Sequence, residues 1–212
     1  MAFERQHDLP YPQPWEWVKD NIEFSDDKCF YVDIGANDGL IVSNTAHFDL
    51  NLGWDGICIE PHPRAFSELE KNRTRSTNLN LCVSSQSGEV DFLVVSGYAE
   101  MLSGINDQYH PDHKKRIDSE ILRHGGTKEL VKIQSKPLSQ IFEEHSVTKV
   151  DYLSIDTEGS EYDILSSIDY DAVDVRVITT ENSSGSDIKN FLKSKGYEFA
   201  LQCCADEIYY KK

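Results

Sequence analysis

Apolar runs along the chain alternate with segments whose apolar residues recur at helical spacing. Residues 138–142 and 161–168 show the helical spacing, with apolar side chains aligned on one face. The apolar runs that predict buried strands are residues 29–34, 56–60, 79–83, 150–155 and 175–180. Alternation of this kind is typical of βαβ units, which build a parallel sheet covered by helices. The pattern therefore predicts an α/β fold that binds its ligand at the carboxyl ends of the strands.

Three further segments complete the predicted sheet and its connections. We predict a helix over residues 40–50, directly after the first strand. Residues 197–202 and 207–210 are expected to close the sheet as two strands joined by a short turn.

Residues 96–127 are polar and irregular. A loop of this length in a compact domain is usually a lid or a binding loop, so we expect a substrate lid with a helix near residues 114–123. Residues 1–24 are interpreted as an N-terminal extension. All 212 residues are expected to form one domain, because a chain of this length buries a sufficient core by itself.

The charge balance limits the partners. The chain carries 37 acidic and 21 basic residues, a formal net charge of −16. Such a chain repels phosphate backbones, and its densest basic run, residues 114–116, is flanked by Asp112 and Asp118. We therefore expect no nucleic acid partner and favour a neutral acceptor. No apolar run approaches the roughly 20 residues that cross a bilayer, so we expect no membrane association.

The five cysteines have no metal-binding spacing. Their number is odd, no CxxC pair occurs, and Cys203 and Cys204 are adjacent. This pattern favours reduced thiols over disulfides, and with them a cytoplasmic location.

A glycine-containing turn follows the first strand. Residues 33–39 read DIGANDG, and Gly35 lets the backbone turn tightly and lets a ligand approach it. A helix that begins near Gly39 would offer free N–H groups to an anionic group. Glu60 ends the second strand, where an acidic residue about 20 residues beyond a glycine turn can accept hydrogen bonds from ribose hydroxyls. Together these features favour a nucleoside cofactor over a purely structural turn. A nicotinamide dinucleotide is disfavoured because Asn37 replaces a glycine of the GxGxxG fingerprint.

Acidic residues are crowded after the strand at residues 150–155. Asp156, Glu158 and Glu161 lie within six positions. Crowding carboxylates is costly unless a metal ion or a cationic cofactor neutralises them. We favour a functional role for Asp156 and Glu158, whereas Glu161 is explained as an acid in the first turn of a helix.

Glu181 and Asn182 follow the strand at residues 175–180, whose end is expected beside Asp156. Asp156, Glu181 and Asn182 would then supply three oxygen ligands, which suit Mg²⁺ or Mn²⁺. Such an ion could make an acceptor hydroxyl easier to deprotonate. The alternative, that Asn182 caps a turn and Glu181 is solvated, is equally compatible with the sequence.

Five segments carry a family resemblance. They are residues 31–39 (YVDIGANDG), 43–45 (SNT), 53–63 (GWDGICIEPHP), 72–73 (NR) and 153–165 (LSIDTEGSEYDIL). In these segments the chain resembles the FkbM-type methyltransferases, over roughly residues 25–200 and least in the lid. The resemblance implies a class I methyltransferase fold, a Rossmann-like three-layer sandwich. Its sheet is seven-stranded and mainly parallel, with an antiparallel last strand.

The resemblance also implies the chemistry, an O-methyltransferase that uses S-adenosylmethionine and acts on sugar hydroxyls. The glycine turn would bind the methionine portion, Glu60 the ribose, and Val83 with Ser84 the adenine. The residues expected to bind the cofactor are Asp33, Gly35, Ala36, Asn37, Asp38, Gly39, Ser43, Asn44, Glu60, Pro61, Val83, Ser84 and Asp156.

The resemblance does not fix the identity of the general base. Asp156, together with residues 181–182, is similar in placement to the metal site of catechol-type O-methyltransferases. Those enzymes carry a lysine base at the position of Gly159. We therefore expect Asp156 and Glu158 to be the catalytic residues, with Glu158 or a lid histidine as base. His110 and His113 are the candidates, although histidines in polar loops are more often solvated.

Two other functions stay open. The chain could be a methyltransferase-like module that binds a ligand without chemistry, or, less favoured, a nicotinamide-dependent oxidoreductase. The expected acceptor is a deoxyhexose such as rhamnose. This expectation comes from the family resemblance and not from any residue of this chain. The chain could also be one domain of a larger glycan-assembly protein.

Overall fold

The computed structural model describes residues 13–24, 28–182 and 186–211. The strands are β1 (Phe30–Ile34), β2 (Asp55–Ile59), β3 (Thr77–Leu79), β4 (Cys82–Val83), β5 (Gly88–Ser96), β6 (Gly104–Ile105), β7 (Thr127–Lys136), β8 (Lys149–Ile155), β9 (Asp174–Glu181), β10 (Glu198–Cys203) and β11 (Asp206–Tyr210). The α-helices are α1 (Pro14–Asn21), α2 (Ala46–Leu50), α3 (Pro63–Asn72), α4 (Pro111–His124), α5 (Leu138–Glu144), α6 (Glu161–Ser166) and α7 (Ser186–Ser194). A 3₁₀ turn spans Glu100–Leu102.

The main sheet has seven strands in the order β10-β11-β9-β8-β1-β2-β3. Its pairs are parallel except for those of β11, which runs antiparallel to both β9 and β10. This confirms the predicted mainly parallel sheet with an antiparallel last strand. Ile34 at the end of β1 pairs with Ile59 of β2 and with Ile155 of β8. The residues that follow these three strands therefore meet at one edge of the sheet.

Helices cover both faces of this sheet. Successive side chains of a strand point to opposite faces, so Val32 and Ile34 of β1 lie in one apolar cluster and Tyr31 lies in the other. The first cluster includes buried side chains of α5, α6 and α7, and the second includes Phe48 of α2 and Leu69 of α3. The result is the predicted three-layer sandwich, in which the strands are apolar on both faces.

A second, smaller sheet lies beside the first, with the strand order β4-β7-β5-β6. Strands β5 and β7 pair antiparallel along nine positions, from Gly88 opposite Ser135 to Ser96 opposite Thr127. Between them, the predicted lid holds the 3₁₀ turn, β6 and α4. Helix α4 contains the helix predicted near residues 114–123, and its Ile117 packs with Leu93 of β5.

The helix predicted over residues 40–50 is wrong in extent, because only Ala46–Leu50 is helical. Residues 35–45 form a series of turns in which Gly35, Asn37, Gly39 and Val42 all have positive φ. Positive φ at four positions is incompatible with a continuous right-handed helix. No helix therefore begins at Gly39, and the predicted helix N-terminus at the glycine turn is also wrong.

None of the five cysteines, all of which lie within the described ranges, forms a disulfide. Within the described ranges, no helix combines the length and the apolar character that a membrane span needs.

Candidate active site

Two adjoining pockets open at the carboxyl edge of the main sheet. The larger has a volume of about 800 Å³ including space open to solvent, and the smaller about 300 Å³. The residues that line both are Gly35, Asn37, Met101 and Asp156. These four residues therefore mark the place where one extended ligand could pass from one pocket into the other.

Glu60 lies in the wall of the larger pocket and is held by the backbone. Its Oε2 accepts the N–H of Asn37 at 2.8 Å, and its Oε1 accepts the N–H of His62 at 2.7 Å. Burial raises the pKa of Glu60 to about 7 despite these two hydrogen bonds. Each carboxylate oxygen has a second lone pair, so Glu60 can still accept hydrogen bonds from a ligand.

Gly35 brings the backbone of the glycine turn against the end of β8. Its φ is +82°, and a Cβ at this position would overlap the carbonyl oxygen of Asp156. The N–H groups of Gly35 and Ala36 both bond to the carbonyl oxygen of Ile59, at 3.0 and 3.1 Å. The absence of a side chain at Gly35 therefore lets the glycine turn pack directly against the backbone at the end of β8.

Asp33 lies in the wall of the smaller pocket and is itself buried. Its Oδ2 accepts the hydroxyl of Thr45 at 2.5 Å and that of Ser43 at 3.4 Å. Burial raises the pKa of Asp33. Asp33 therefore fixes residues 43–45, and Ser43 and Asn44 supply polar walls to the same pocket.

Asp156 and Glu158 project into the larger pocket. The Asp156 side chain is open to the pocket, but protein atoms surround its carboxyl group and displace water from it. This desolvation, together with the charges of Asp206 and Glu181, raises the pKa of Asp156 well above the ordinary value. Burial, then the charge of Glu181, raises the pKa of Glu158 to about 8. The pocket therefore favours a cationic ligand, and Glu158 holds a proton near neutral pH.

Residues of the predicted lid close one side of the larger pocket. Met101, Gly104 and Ile105 line it. Glu100 forms an ion pair with Arg64 of α3. His62, which caps α3, has its Nε2 3.1 Å from the carbonyl oxygen of Val95 in β5. The lid is thereby tied to the same segment that carries Glu60.

Arg73, to which sequence analysis assigned no role, lies beneath the glycine turn. Its side chain is fully buried and donates to Asp49 at 2.7 Å, to the Gly39 carbonyl at 2.9 Å and to the Thr45 hydroxyl at 2.8 Å. Its neighbour Asn72 donates to the carbonyl oxygen of Asp38 at 2.8 Å. The only sequence signal was the position of the Asn-Arg pair within the family resemblance.

Several predicted site residues lie elsewhere. Asp38 and Gly39 line neither pocket: the Asp38 carboxylate accepts the N–H groups of Leu40 and Ile41. A Cβ at Gly39 would lie 2.6 Å from Cγ of Arg73, so this glycine is explained by packing. The hydroxyl of Ser84 bonds to Ser135 at 2.7 Å instead of facing the pocket. Pro61 and Val83, by contrast, do line the larger pocket, and Ala36 the smaller.

The predicted metal site has no support in the geometry. Glu181 and Asn182 line neither pocket, and the Asn182 amide donates to Glu207 at 2.7 Å. Across the described part of the chain, no three His, Cys, Asp or Glu side chains are arranged to hold a metal ion. The structure therefore gives no support to Asp156, Glu181 and Asn182 as a metal site.

Comparison with known proteins places this geometry in a family. The model of the methyltransferase FkbM domain matches residues 33–199. A curated protein called methyltransferase 1, from Beauveria bassiana (strain ARSEF 2860), is 28% identical over 194 residues, which cover 84% of this chain and 76% of the fungal protein.

A crystal structure of methyltransferase FkbM from Methylobacillus flagellatus KT superposes with a TM-score of 0.58 at 14% identity. The match covers 94% of this chain and 48% of that protein, so this chain spans about half the length of that relative. The common fold is the class I Rossmann-like methyltransferase fold. This chain belongs to the FkbM family of S-adenosylmethionine-dependent methyltransferases.

Proposed function

We propose that this protein transfers the methyl group of S-adenosylmethionine to a hydroxyl group of a sugar. The observation that carries the proposal is the convergence of Asp33, Glu60 and Asp156 on two pockets that meet at Gly35. A carboxylate for the ribose and a carboxylate beside the positive sulfonium are what this cofactor requires.

The two pockets fit the two halves of the cofactor. In the larger pocket Glu60 would hold the ribose hydroxyls, with Val83 and Leu81 against the adenine. In the smaller pocket Ser43, Asn44 and the turn at Ala36 would hold the methionine portion. The bound cofactor supplies an electrophilic methyl group on a sulfonium, and Asp156 at the junction stabilises that positive charge.

A neutral hydroxyl acceptor agrees with the charge of the site. Burial, and then the charges of neighbouring carboxylates, raise the pKa values of Asp156, Glu158 and Asp206, so the added negative charge of an anionic acceptor would be repelled. This argues against nucleic acids and acidic sugars. Neutral sugars are the acceptors that the family resemblance implies, with a deoxyhexose such as rhamnose as the first candidate.

Glu158 is the base in this proposal. It lines the larger pocket beside Asp156, and its raised pKa, about 8, makes it a stronger base than an ordinary carboxylate. Methyl transfer is an in-line displacement, so the acceptor oxygen must lie about 3 Å from the methyl carbon. No step is assigned to a divalent ion, because neither Glu181 nor Asn182 lines the two pockets. Retained turnover after dialysis against EDTA is the expected result.

The proposal extends to the protein of which this chain would be one part. Because the chain spans about half of the bacterial FkbM protein, we include in the proposal that it acts as one domain of a larger glycan-assembly protein. A cytoplasmic location is part of the same proposal, in line with cysteines that form no disulfide.

The test is incubation with methyl-labelled S-adenosylmethionine and a panel of neutral mono- and oligosaccharides, read by mass spectrometry. The expected product carries the labelled methyl group in place of the hydrogen of one sugar hydroxyl, and its mass rises by that difference. Glu158→Gln should abolish most of this product and still bind S-adenosylhomocysteine in calorimetry. Binding of NAD in place of S-adenosylhomocysteine would refute the cofactor assignment. Cofactor binding with no methylated sugar from any panel member would favour the non-catalytic module.

A further inference from the structure

A histidine of the lid touches the proposed base. Nδ1 of His113, on α4, lies 3.3 Å from Oε2 of Glu158, in the turn between β8 and α6. Both side chains are largely buried, with 14% and 19% of their surfaces exposed. His110, three residues earlier, is exposed and caps α4 by accepting the N–H of Asp112. Only His113 of the two histidines predicted in the lid therefore reaches the site.

The surroundings of His113 fix the position of its ring and determine which ring nitrogen carries the hydrogen. The ring stacks on Tyr109 with 4.7 Å between centroids and 9° between planes. Nε2 faces the carbonyl oxygen of Leu102 at 3.5 Å. A carbonyl oxygen has only lone pairs, so this contact is favourable when Nε2 carries the hydrogen. In the neutral ring Nδ1 is then an acceptor, and the hydrogen between the two side chains must come from Glu158.

A second set of contacts holds the two segments together. The Gln108 side chain bonds to the hydroxyl of Ser160 and donates to Asp163 of α6 at 3.1 Å. Gly159, with φ +114°, packs so closely that a Cβ would lie 2.8 Å from the Gln108 carbonyl oxygen. The lid therefore docks on the very turn that carries Glu158, and the contact between His113 and Glu158 is part of that docking.

Resting on the function proposed above, we propose that His113 is a positioning residue for Glu158 and accepts the proton that Glu158 gives up when Glu158 takes the proton of the acceptor hydroxyl. The acceptor oxygen forms a bond to the methyl carbon, and the carbon–sulfur bond breaks with its electron pair passing to sulfur. Glu158 takes the proton of the hydroxyl while its own proton passes to Nδ1 of His113. The site loses the positive sulfonium and gains a positive imidazolium, so its net charge does not change.

The charged groups around the pair agree with this assignment. Burial lowers the pKa of His113 and raises that of Glu158, so a single proton between them rests on Glu158 near neutral pH. The charged groups that act on the pair are Arg116 on α4, Glu181 on β9 and Glu161 on α6. The charge of Glu158 in turn raises the pKa values of Asp156 and Tyr109. Arg116 favours the ionised Glu158, whereas Glu161 and Glu181 oppose it.

The first test needs no acceptor. Long-range ¹⁵N–¹H spectra of the full chain with S-adenosylhomocysteine report which ring nitrogen of His113 carries the hydrogen. We expect Nε2–H at pH 7, and a change towards Nδ1–H as Glu158 loses its proton near pH 8. Glu158→Gln should abolish this change, because a glutamine amide does not titrate. Identical His113 spectra in the wild type and in Glu158→Gln would overturn the proposal, whatever the acceptor is.

The second test uses the sugar that the panel identifies. His113→Phe keeps the stacking on Tyr109 and removes both nitrogens, so we expect kcat to fall about 10- to 100-fold with little change in cofactor affinity. The acidic limb of the pH–rate profile should move from below pH 6.5 to about pH 8, because Glu158 must then ionise by itself. His113→Asn, which places an N–H donor near the position of Nδ1, should recover part of the loss by orienting Glu158.

Controls separate this proposal from a structural role and from the function itself. His110→Asn keeps the helix cap and should leave the pH profile unchanged. The double variant Glu158→Gln with His113→Phe should be no slower than Glu158→Gln alone, because the two residues act in one step. An unshifted pH profile for His113→Phe would overturn the relay even if sugars are methylated. Failure of every sugar would instead reject the proposed function and leave the spectroscopic result standing.

Discussion

Arg73 and Asp49 form an ion pair with 2.7 Å between Nε and Oδ2, and neither side chain is exposed to solvent. The guanidinium also stacks over the ring of Tyr31, 5.1 Å from its centroid, and Tyr31 in turn donates to Asp49 at 2.9 Å. Through Gly39 and Thr45 this pair supports the turns from which the pockets are built. Its removal should therefore affect both the fold and the site.

For Arg73→Met we expect a loss of about 3–5 kcal/mol in the free energy of unfolding, because Asp49 and Asp33 then stay buried without a positive partner. Arg73→Lys should lose less but still weaken cofactor binding, because an ammonium cannot reach Asp49, Gly39 and Thr45 together. Urea unfolding and calorimetry with S-adenosylhomocysteine measure the two effects.

Arg75→Ala is the matched control for Arg73. Arg75 pairs with Asp55 at 3.4 Å, with both side chains more than half exposed, so the expected loss is below about 1 kcal/mol. Equal losses at positions 73 and 75 would show that the buried network does not stabilise the fold.

Gly35→Ala should lower the free energy of unfolding by more than the positive φ of this residue alone explains. The new Cβ would overlap the Asp156 carbonyl oxygen, so the ends of β1 and β8 must move apart. Gly196→Ala is the control, because Gly196 also has positive φ, +87°, but no atom lies within 4 Å of its Cβ position. We expect about 1–2 kcal/mol for Gly196→Ala and a larger loss, with no detectable cofactor binding, for Gly35→Ala. Similar unfolding curves for the two variants would contradict the close approach.

The sequence predicted the sheet and the acidic strand ends well, for a physical reason. A strand buried on both faces must be a continuous apolar run, and parallel strands all end at one edge. The locations of Glu60 and Asp156 therefore followed from where two runs stop. Both features are local in sequence, and no knowledge of distant contacts was needed.

The sequence could not predict the features that depend on distant contacts. The sequence of residues 40–45 is compatible with a helix. Arg73 stabilises turns there instead, because it donates hydrogen bonds to the Gly39 carbonyl and to the Thr45 hydroxyl. The pairing of β5 with β7 encloses α4, and it brings His113 to Glu158. Nothing local to His113 distinguishes it from the exposed His110, so only the fold identifies the histidine that reaches the site.

Glu60→Gln tests the ribose contact. A glutamine can still accept one N–H through its Oε1, but its amide nitrogen would face the N–H of Asn37 or His62 and cannot accept from a ribose hydroxyl. We expect S-adenosylhomocysteine to bind about 10- to 100-fold more weakly by calorimetry, in line with the cost of unpaired buried polar groups. Glu68→Gln, on the exposed face of α3 beside Lys71, should bind as the wild type does. Unchanged affinity for Glu60→Gln would remove Glu60 from the cofactor site.

The pH dependence of stability follows from the crowded carboxylates. Burial raises the pKa of Glu60 to about 7 and that of Glu158 to about 8, above the ordinary value of 4.5. The folded protein therefore binds more protons than the unfolded chain between about pH 4.5 and these values. Their contribution is fully present below pH 4.5 and is lost as the pH rises through 7 and 8.

The protein without cofactor should consequently lose stability between pH 6.5 and 8.5, by at least about 1 kcal/mol, since one pKa unit corresponds to about 1.4 kcal/mol. His47 and His113, whose pKa values are lowered by burial, act in the opposite direction, but only below pH 6.5. Glu60→Gln and Glu158→Gln should each flatten the pH dependence of the free energy of unfolding measured in urea, whereas Glu68→Gln should not. A stability that rises with pH over this interval would contradict the raised pKa values of both carboxylates.

Cofactor affinity should depend on pH as well. S-adenosylmethionine is a cation and should bind more tightly at pH 8.5 than at pH 6.5. S-adenosylhomocysteine, whose sulfur is uncharged, should show a weaker trend.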